Sequence, residues 1–346
     1  MNNINNKTSK GETAEEILRN YFLSIGYFVV RGSKFKFNQY DVTDVDLWLY
    51  GKNSPISRER LNVDIKNRRT PQALERIFWA KGLQSILGLN GCIVVTNDSR
   101  TDVRKFGLEH QIKVIDGRFY DRLKKDERIN LKRISEEQLL NEIDQGSMGK
   151  LGGDWRKRYE ASKSRLLRSL TFDGANAWLE DIRYFLTEIQ SSKSFNGPAL
   201  RLAYIMSAYF LISLDFILID HVTTEQDQRR IILENGFRYG SAGKSFAEKV
   251  GKMAADLAGT YGAHLGIIEN IKHSLTDQAS FVKAELLAEY FSKPTIQNIL
   301  FDTAREFEDS AFSLEIKVPS STTKNIQALL GVFSDFFGLD RKIILI

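Results

Sequence analysis

Two short acidic segments hold the residue types of this chain that are best suited to catalysis. They are residues 44–51, DVDLWLYG, and residues 61–66, LNVDIK. Each alternates polar and apolar side chains, as a β-strand with one buried face does, and side chains two apart on a strand share a face. Asp64 and Lys66 therefore point the same way, and so do Asp44 and Asp46. Two neighbouring strands would set two or three carboxylates and one ammonium group over a single spot.

These groups suit a divalent cation and a phosphate. Converging carboxylates bind hard divalent cations, and a nearby lysine can orient a water molecule or stabilise a developing negative charge. Aspartate is depleted in strand interiors, which makes Asp46 and Asp64 unusual, although Asp-x-Lys alone is a weak pattern. The two segments therefore carry the minimum equipment for metal-assisted cleavage of a phosphodiester bond.

A helix and a covered sheet are needed to position these side chains. Residues 1–121 alternate helix and strand signals, with a first helix that ends at Gly26, and they predict a mixed α/β domain. On that helix, Glu15 lies at the edge of the apolar stripe and could reach toward the acidic strands, whereas Glu16 projects toward solvent. The alternative for Glu15 is a purely electrostatic role at the helix N-terminus. Trp79, on the helix after the second acidic strand, is expected in the core.

The rest of the chain divides into a linker and a helical domain. Residues 122–153 are charged and then rich in glycine, which predicts a linker. Residues 154–346 carry helical periodicity and few strand signals, which predicts an all-α domain. Its most apolar stretch, residues 202–219, is long enough to cross a bilayer, but Asp215 would be costly there, so a buried core helix is expected.

Composition limits the cellular locations and the binding partners expected for this chain. The 346 residues carry a net charge of +5, a mild excess that fits a polyanionic partner. The single cysteine, Cys92, excludes an internal disulfide framework, and the polar N-terminus lacks the apolar region of a secretory signal. The chain is therefore expected to be cytoplasmic, with no membrane association.

The order of these parts resembles the PD-(D/E)xK nuclease superfamily, whose members share the restriction-endonuclease-like fold. The resemblance is carried by a Gly11-x-x-x-Glu15 helix, a Gly26-Tyr27 strand, an Asp at the head of an apolar strand and then Asp-x-Lys. The helix and strand are similar to those of archaeal Holliday-junction resolvases and Mrr-like nucleases. The resemblance covers about residues 10–120 and does not include the helical part.

What the resemblance implies is carried over position by position. Asp46 would be the first Asp of the motif, Asp64 the second acid and Lys66 the lysine, while Glu15 would be the helix-borne acid. Mg²⁺ or Mn²⁺ would bind Asp46, Asp64 and the Ile65 carbonyl. Glu15 would bind the ion directly or through water. A lysine crowded by carboxylates stays protonated more readily, so Lys66 would orient the attacking water and stabilise charge rather than act as the base.

The chain departs from the family pattern in two places. The usual Pro-Asp pair is missing, so Asp44 competes with Asp46 for the metal; Asp46 is preferred because it directly begins the apolar strand. Related nucleases often carry a glutamine on the helix after the lysine, a role for which Gln84, with Lys81 one turn earlier, is a secondary candidate. The accompanying tyrosine of the RecB-like pattern is absent, because Gly88 stands there.

Basic and aromatic residues near the acidic strands are candidates for nucleic-acid contacts. Arg68 and Arg69 follow the lysine closely, and Arg100 and Arg104 follow the next strand. Trp48 shares the acidic face of its strand and could stack on a base. The alternative is an ordinary solvated loop, since basic residues form a DNA footprint only when they cluster on one face.

Together these observations predict a Mg²⁺-dependent endonuclease that hydrolyses phosphodiester bonds of DNA. The usual biological role of the family suggests restriction or phage defence. The helical domain would form a homodimer, sense a trigger or dock a second protein subunit of a defence system. Two alternatives stay open. One is a Holliday-junction-type resolvase, and the other is a non-catalytic nucleic-acid-binding or scaffold subunit that retains the nuclease fold.

Overall fold

The computed structural model divides the chain into two compact units. The described residues are 10–38, 40–66, 72–129, 132–146, 153–192 and 196–345. The first unit comprises Met1–Arg168 with Phe312–Glu315, and the second comprises Ser169–Ala311 with Ile316–Ile346. The first holds a mixed sheet and the second is helical, so the predicted combination of an α/β part and an α part is confirmed.

A five-stranded mixed sheet is the centre of the first unit. Its strands are β1 Phe28–Phe37, β2 Tyr40–Ser54, β3 Ser57–Lys66, β4 Gly91–Thr96 and β5 Lys113–Ile115, which lie side by side in that order. β1, β2 and β3 are antiparallel neighbours, whereas β4 runs parallel to β3 and β5 runs parallel to β4. The carboxyl ends of β3, β4 and β5 therefore meet at one edge of the sheet, where Lys66 pairs with Thr96.

Helices cover both faces of this sheet. The helices of the first unit are α1 Lys10–Ser24, α2 Ala73–Ile86, α3 Thr101–Glu109, α4 Gly117–Leu123, α5 Glu136–Gly146 and α6 Trp155–Arg165. On one face, α1 contributes Leu18 to an apolar cluster that includes Leu49 of β2. On the other face, α2 and α3 contribute Ile77 and Val103 to a cluster around Val94 of β4. Strand β4, which lies between β3 and the edge strand β5, is thus buried on both sides, as its doubly apolar pattern predicts.

The described part of residues 122–153, predicted as a linker, contains helix α5 and belongs to the first unit. Glu136 of α5 is buried, and it accepts hydrogen bonds from Tyr159 (2.6 Å) and Lys163 (2.8 Å) of α6. Lys163 Nζ also donates to the backbone carbonyl of Arg31 on β1 at 3.2 Å. The first unit therefore continues beyond the predicted boundary, because charged residues of this segment form buried ion pairs instead of staying solvated.

The second unit is built from helices alone within its described residues. They are α7 Phe172–Ser191, α8 Gly197–Ile217, α9 Gln226–Tyr239, α10 Gly243–Thr260, α11 Leu265–Ser280, α12 Ala284–Phe291, α13 Pro294–Phe312, α14 Lys324–Phe337 and α15 Arg341–Ile344. One described helical stretch, Gly197–His221, is long and apolar enough to cross a membrane, but 83% of its most apolar window is buried inside the protein. Asp215 on α8 is buried as well. The prediction of a buried core helix is confirmed.

Candidate active site

Asp46 ties β2 to β3 at the start of the apolar part of β2. Its Oδ2 accepts a hydrogen bond from the backbone N–H of Ile65 at 2.6 Å. Leu47 packs in the α1-side cluster, so strand alternation turns Asp46 toward the α2 face of the sheet. Burial raises the pKa of Asp46, against the lowering effects of the Ile65 N–H and of the Lys66 and Arg76 charges. The two cations therefore lie near this carboxylate but do not fully offset its loss of hydration.

Asp64 is paired with Arg76, a residue absent from the predicted site. Both carboxylate oxygens accept hydrogen bonds from the Arg76 guanidinium on α2, one from Nε at 2.8 Å and the other from Nη2. The Asp64 side chain is 9% exposed and that of Arg76 is 23% exposed. Arg76 lies between Ala73 and Ala80 on the buried stripe of α2, so helical periodicity could have indicated its contact with the sheet. Two-point pairing of arginine with a carboxylate is among the stronger charge pairs in proteins.

Lys66 ends β3 at the carboxyl edge of the parallel strands. It is half-buried and borders a small hollow together with Thr96 and Tyr120. Its charge contributes to lowering the pKa of Asp46, although burial outweighs that contribution. The antiparallel register of β2 and β3 brings Asp46 and Asp64 to the same level. The three side chains therefore occupy one end of the β2–β3 pair.

Glu15 is held on the opposite face of the sheet. Its carboxylate pairs with Arg31 Nε at 2.6 Å, and Arg31 lies on the α1 face of β1 by strand alternation. Arg31 also pairs with Glu16 at 3.0 Å, so Glu16 is largely buried and the prediction that it projects toward solvent is wrong. Burial raises the pKa of Glu15 against the charge of Arg31, and the charge of Asp46 raises it further. Glu15 and Asp46 thus interact through their charges, and no described hydrogen bond brings them together.

The three secondary candidates have environments that differ from those of Asp46 and Asp64. Asp44 is exposed, and its negative charge adds to the raised pKa of Asp46. Gln84 donates at 3.3 Å to a backbone carbonyl beyond the C-terminal end of α2, so the structure does not bring it to the site. Lys81 acts instead on Cys92 of β4: burial raises the pKa of the thiol to about 11, and the Lys81 charge opposes that rise.

The two tryptophans near the site have the reverse of their expected environments. Trp48 is 0% exposed, and its ring stacks on Tyr50 with the centroids 5.9 Å apart. It is a core residue without a free face for a base, because the fold covers both faces of β2. Trp79, expected in the core, is 47% exposed, and the Arg76 guanidinium lies 5.7 Å from its ring centroid. An exposed aromatic ring therefore stands beside the Asp64–Arg76 pair.

Two of the four arginines proposed for nucleic-acid contacts can be placed. Arg100 is 70% exposed and pairs with a neighbouring aspartate at 2.6 Å. Arg104 is 61% exposed and pairs with Asp116 at 3.5 Å. Arg68 and Arg69 lie outside the described residues. The exposed guanidinium groups of Arg100 and Arg104 keep N–H donors that a phosphate can use.

The donors at Asp46 and Asp64 have the chemistry of a site for a hard divalent cation. Carboxylate and carbonyl oxygens are the ligands that Mg²⁺ prefers, and the raised pKa of Asp46 indicates a carboxylate with incomplete charge compensation. Arg76 occupies the oxygens of Asp64, however. Within the described residues, no group of three or more acidic, histidine or cysteine side chains is arranged to hold one ion. A cation would therefore have to compete with Arg76 for Asp64.

Comparisons of the chain with protein-family models, with curated proteins and with solved structures gave no match. The resemblance to PD-(D/E)xK nucleases therefore rests on the motif residues and their order along the chain.

Proposed function

We propose that the first unit is a metal-dependent endonuclease that hydrolyses phosphodiester bonds of DNA. The observation that carries this proposal is the position of Asp46, Asp64 and Lys66 at one end of the β2–β3 pair, in a sheet covered on both faces. Two carboxylates and a lysine are the protein groups that this reaction needs when a metal ion is bound. The net charge of +5 adds support for a polyanionic substrate.

Each residue has a separate task in the proposed reaction. Asp46, Asp64 and the carbonyl of Ile65 would hold Mg²⁺ or Mn²⁺. The bound ion supplies polarisation of the scissile phosphate and a lowered pKa of its water. Lys66 would orient the attacking water next to Asp46 and stabilise negative charge at the phosphate. Glu15, which Arg31 holds on the other face, would act on Asp46 through its charge.

The test is cleavage of supercoiled, linear, branched and single-stranded DNA with Mg²⁺ or Mn²⁺. The wild type should cut, and Asp64→Ala and Lys66→Ala should not. The matched control is Asp44→Ala, which removes an exposed carboxylate two residues from Asp46 and should leave cutting intact. Symmetric cutting restricted to four-way junctions would identify a resolvase. Cleavage by Asp64→Ala at the wild-type rate would refute the assignment.

The Asp64–Arg76 pair favours a second candidate function. In a subunit that binds nucleic acid without cutting it, a guanidinium could take the place of the metal permanently, and the pair would then serve stability. DNA binding in EDTA, combined with no ion-dependent nicking by the wild type, would select this candidate over the nuclease.

A further inference from the structure

A basic and aromatic cleft lies along the edge strand β5. Its volume is about 480 Å³, and its walls come from the C-terminal half of α1, from β5 and from residues of α3 and α4. Sites for small ligands have volumes of about 300–1,000 Å³ and combine apolar walls with a few polar groups. None of Asp46, Asp64 and Lys66 lines this cleft, so it is separate from the candidate active site.

Positive charge dominates the walls of the cleft. Its four cations are Arg104, Lys113, Arg118 and Arg122, and one carboxylate, Asp116, opposes them. The Asp116 carboxylate pairs with Arg104 at 3.5 Å, yet 61% of the Arg104 side chain stays exposed. Arg118 and Arg122 stand four residues apart on α4 and share one face of that helix. A wall with this charge balance attracts a polyanion.

Aromatic rings line the same cleft. Tyr21 and Phe119 meet edge to face with their centroids 5.6 Å apart, and the Arg122 guanidinium lies 5.4 Å from the Phe119 centroid. Both rings are half-buried, so each is held in place and keeps part of its surface open. Tyr27 also lines the cleft, and its hydroxyl donates to Glu59 at 2.8 Å. Rings fixed in this way offer stacking surfaces to bases whose faces are free.

The cleft lies on the α1 face of the sheet, whereas Asp46 and Asp64 face α2, and the two places approach each other at the carboxyl ends of the parallel strands. Lys66 ends β3, Thr96 ends β4, and Asp116 directly follows β5, so all three stand at the carboxyl ends of parallel strands. Ligands of parallel sheets bind at that edge. Helix α4 joins the two places, because Tyr120 borders the hollow beside Lys66 while its neighbour Phe119 lines the cleft. A polymer lying in the cleft can therefore continue toward Lys66.

We propose that this cleft binds an unpaired segment of a DNA strand, with phosphates on Arg118 and Arg122 and a base against Phe119 and Tyr21. The inference rests on the proposed nuclease function and narrows its substrate to DNA that is single-stranded beside the cut. Duplex DNA keeps its base faces in the stack, so the rings of the cleft add nothing to its binding. The phosphate contacts depend on salt, because binding releases counterions.

The test measures binding apart from cleavage, with the full chain in EDTA. Fluorescence anisotropy of a labelled oligothymidylate is recorded over a range of salt concentrations. The test variant is Arg118→Ser with Arg122→Ser; the matched control is Lys36→Ser with Lys157→Ser, which removes two exposed lysines outside the cleft. Each phosphate contact contributes about 0.7 to the salt slope of single-strand binding, so the test variant should lose about 1.4 from that slope. Its affinity should fall by about tenfold, and the control should change little.

A second arm tests the contribution of the bases. The wild type should bind oligothymidylate more tightly than a duplex or an abasic strand of the same length, since only the first offers free base faces. Phe119→Leu should reduce the preference over the abasic strand, with the Tyr21 ring left in place, and keep the salt slope. Equal binding of oligothymidylate by the Arg118→Ser, Arg122→Ser variant and the lysine control would overturn the proposal. Equal wild-type binding of thymidylate and abasic strands would overturn it as well.

Cleavage with Mn²⁺, measured in parallel, separates this inference from the proposed function. Binding that depends on the cleft without any cleavage would refute the nuclease and leave the binding site standing. Cleavage and binding that both survive the loss of Arg118 and Arg122 would refute the binding site and leave the nuclease standing.

Discussion

Removal of the Arg76 charge should turn Mg²⁺ into a stabilising ligand of the first unit. In Arg76→Met the apolar stem remains, and Asp64 loses both hydrogen bonds from the guanidinium. A buried charge left without its partner costs about 3–5 kcal/mol. Because 23% of the Arg76 side chain is exposed, water can hydrate part of the Asp64 carboxylate once the guanidinium is gone. We therefore expect the free energy of unfolding to fall by about 3 kcal/mol without divalent ions, the lower end of that range.

The expected response to Mg²⁺ follows from linkage between binding and folding. An ion at about 100 times its Kd stabilises the folded state by about 2.7 kcal/mol. In the variant the ion meets an unpaired Asp64 and recovers most of the lost stability, whereas in the wild type it must first displace Arg76. Differential scanning calorimetry should place the variant's transition about 6–12 °C below the wild type without the ion, at about 2–4 °C per kcal/mol. Mg²⁺ should remove most of that difference.

The control for this experiment is the double variant Arg76→Met with Asp64→Asn, which removes the charge that needs a partner. It should be more stable than Arg76→Met without Mg²⁺ and should not respond to the ion. Equal stabilisation of wild type and Arg76→Met by Mg²⁺ would refute the competition between Arg76 and a cation. An unchanged Tm of Arg76→Met without Mg²⁺ would refute the energetic role of the pair itself.

Three further predictions concern the first unit. Trp48→Ala should lower the free energy of unfolding in urea by about 3–5 kcal/mol, because it empties a fully buried site; a loss below about 1 kcal/mol would contradict the core position. Burial alone would raise the pKa of Glu136 from its ordinary 4.5, but the charges of Lys163 and Arg19, with the hydrogen bonds from Lys163 and Tyr159, lower it to about 2, so stability should fall as the pH drops from about 4.5 to about 2. In Glu136→Gln, the free energy of unfolding measured in urea should depend less on pH over that window. A pH dependence as steep as that of the wild type would argue against the pairing of Glu136 with Lys163. Burial and the hydrogen bond to Glu59 raise the pKa of Tyr27 to about 12, so stability should fall as the pH rises from about 10 to about 12. Tyr27→Phe should make that fall shallower, and a fall as steep as in the wild type would contradict this contribution.

Local alternation predicts the α/β character of the first unit well, but it does not predict where strands end. The polar composition of residues 52–60 favours a connection between the two acidic strands. In the structure β2 continues to Ser54 and β3 starts at Ser57, with Lys52 paired to Arg58. Antiparallel pairing satisfies the backbone groups whatever the side chains are, so exposed polar residues extend a strand without an apolar signal.

The partners of the candidate acids could not be predicted because they come from other elements. Alternation on β3 predicts the common face of Asp64 and Lys66, since it is a local property of the strand. The pairing of Asp64 with Arg76 depends on how α2 packs on the sheet, and that of Glu15 with Arg31 depends on how α1 packs on β1. Sequence spacing identifies the acids, whereas tertiary packing decides which cations hold them.

The most direct test of the central claim is the nicking of supercoiled plasmid with Mn²⁺ by wild type, Asp46→Asn and Lys66→Met. Asparagine keeps the acceptor for the Ile65 N–H and loses the charge, while methionine keeps the length of the lysine stem. Ion-dependent nicking by the wild type, blocked by EDTA, is predicted to fall at least about 100-fold in both variants, with their thermal unfolding close to that of the wild type. Nicking by either variant at the wild-type rate would contradict a metal-dependent nuclease site at Asp46, Asp64 and Lys66. The absence of plasmid nicking by the wild type with Mn²⁺ would contradict it as well.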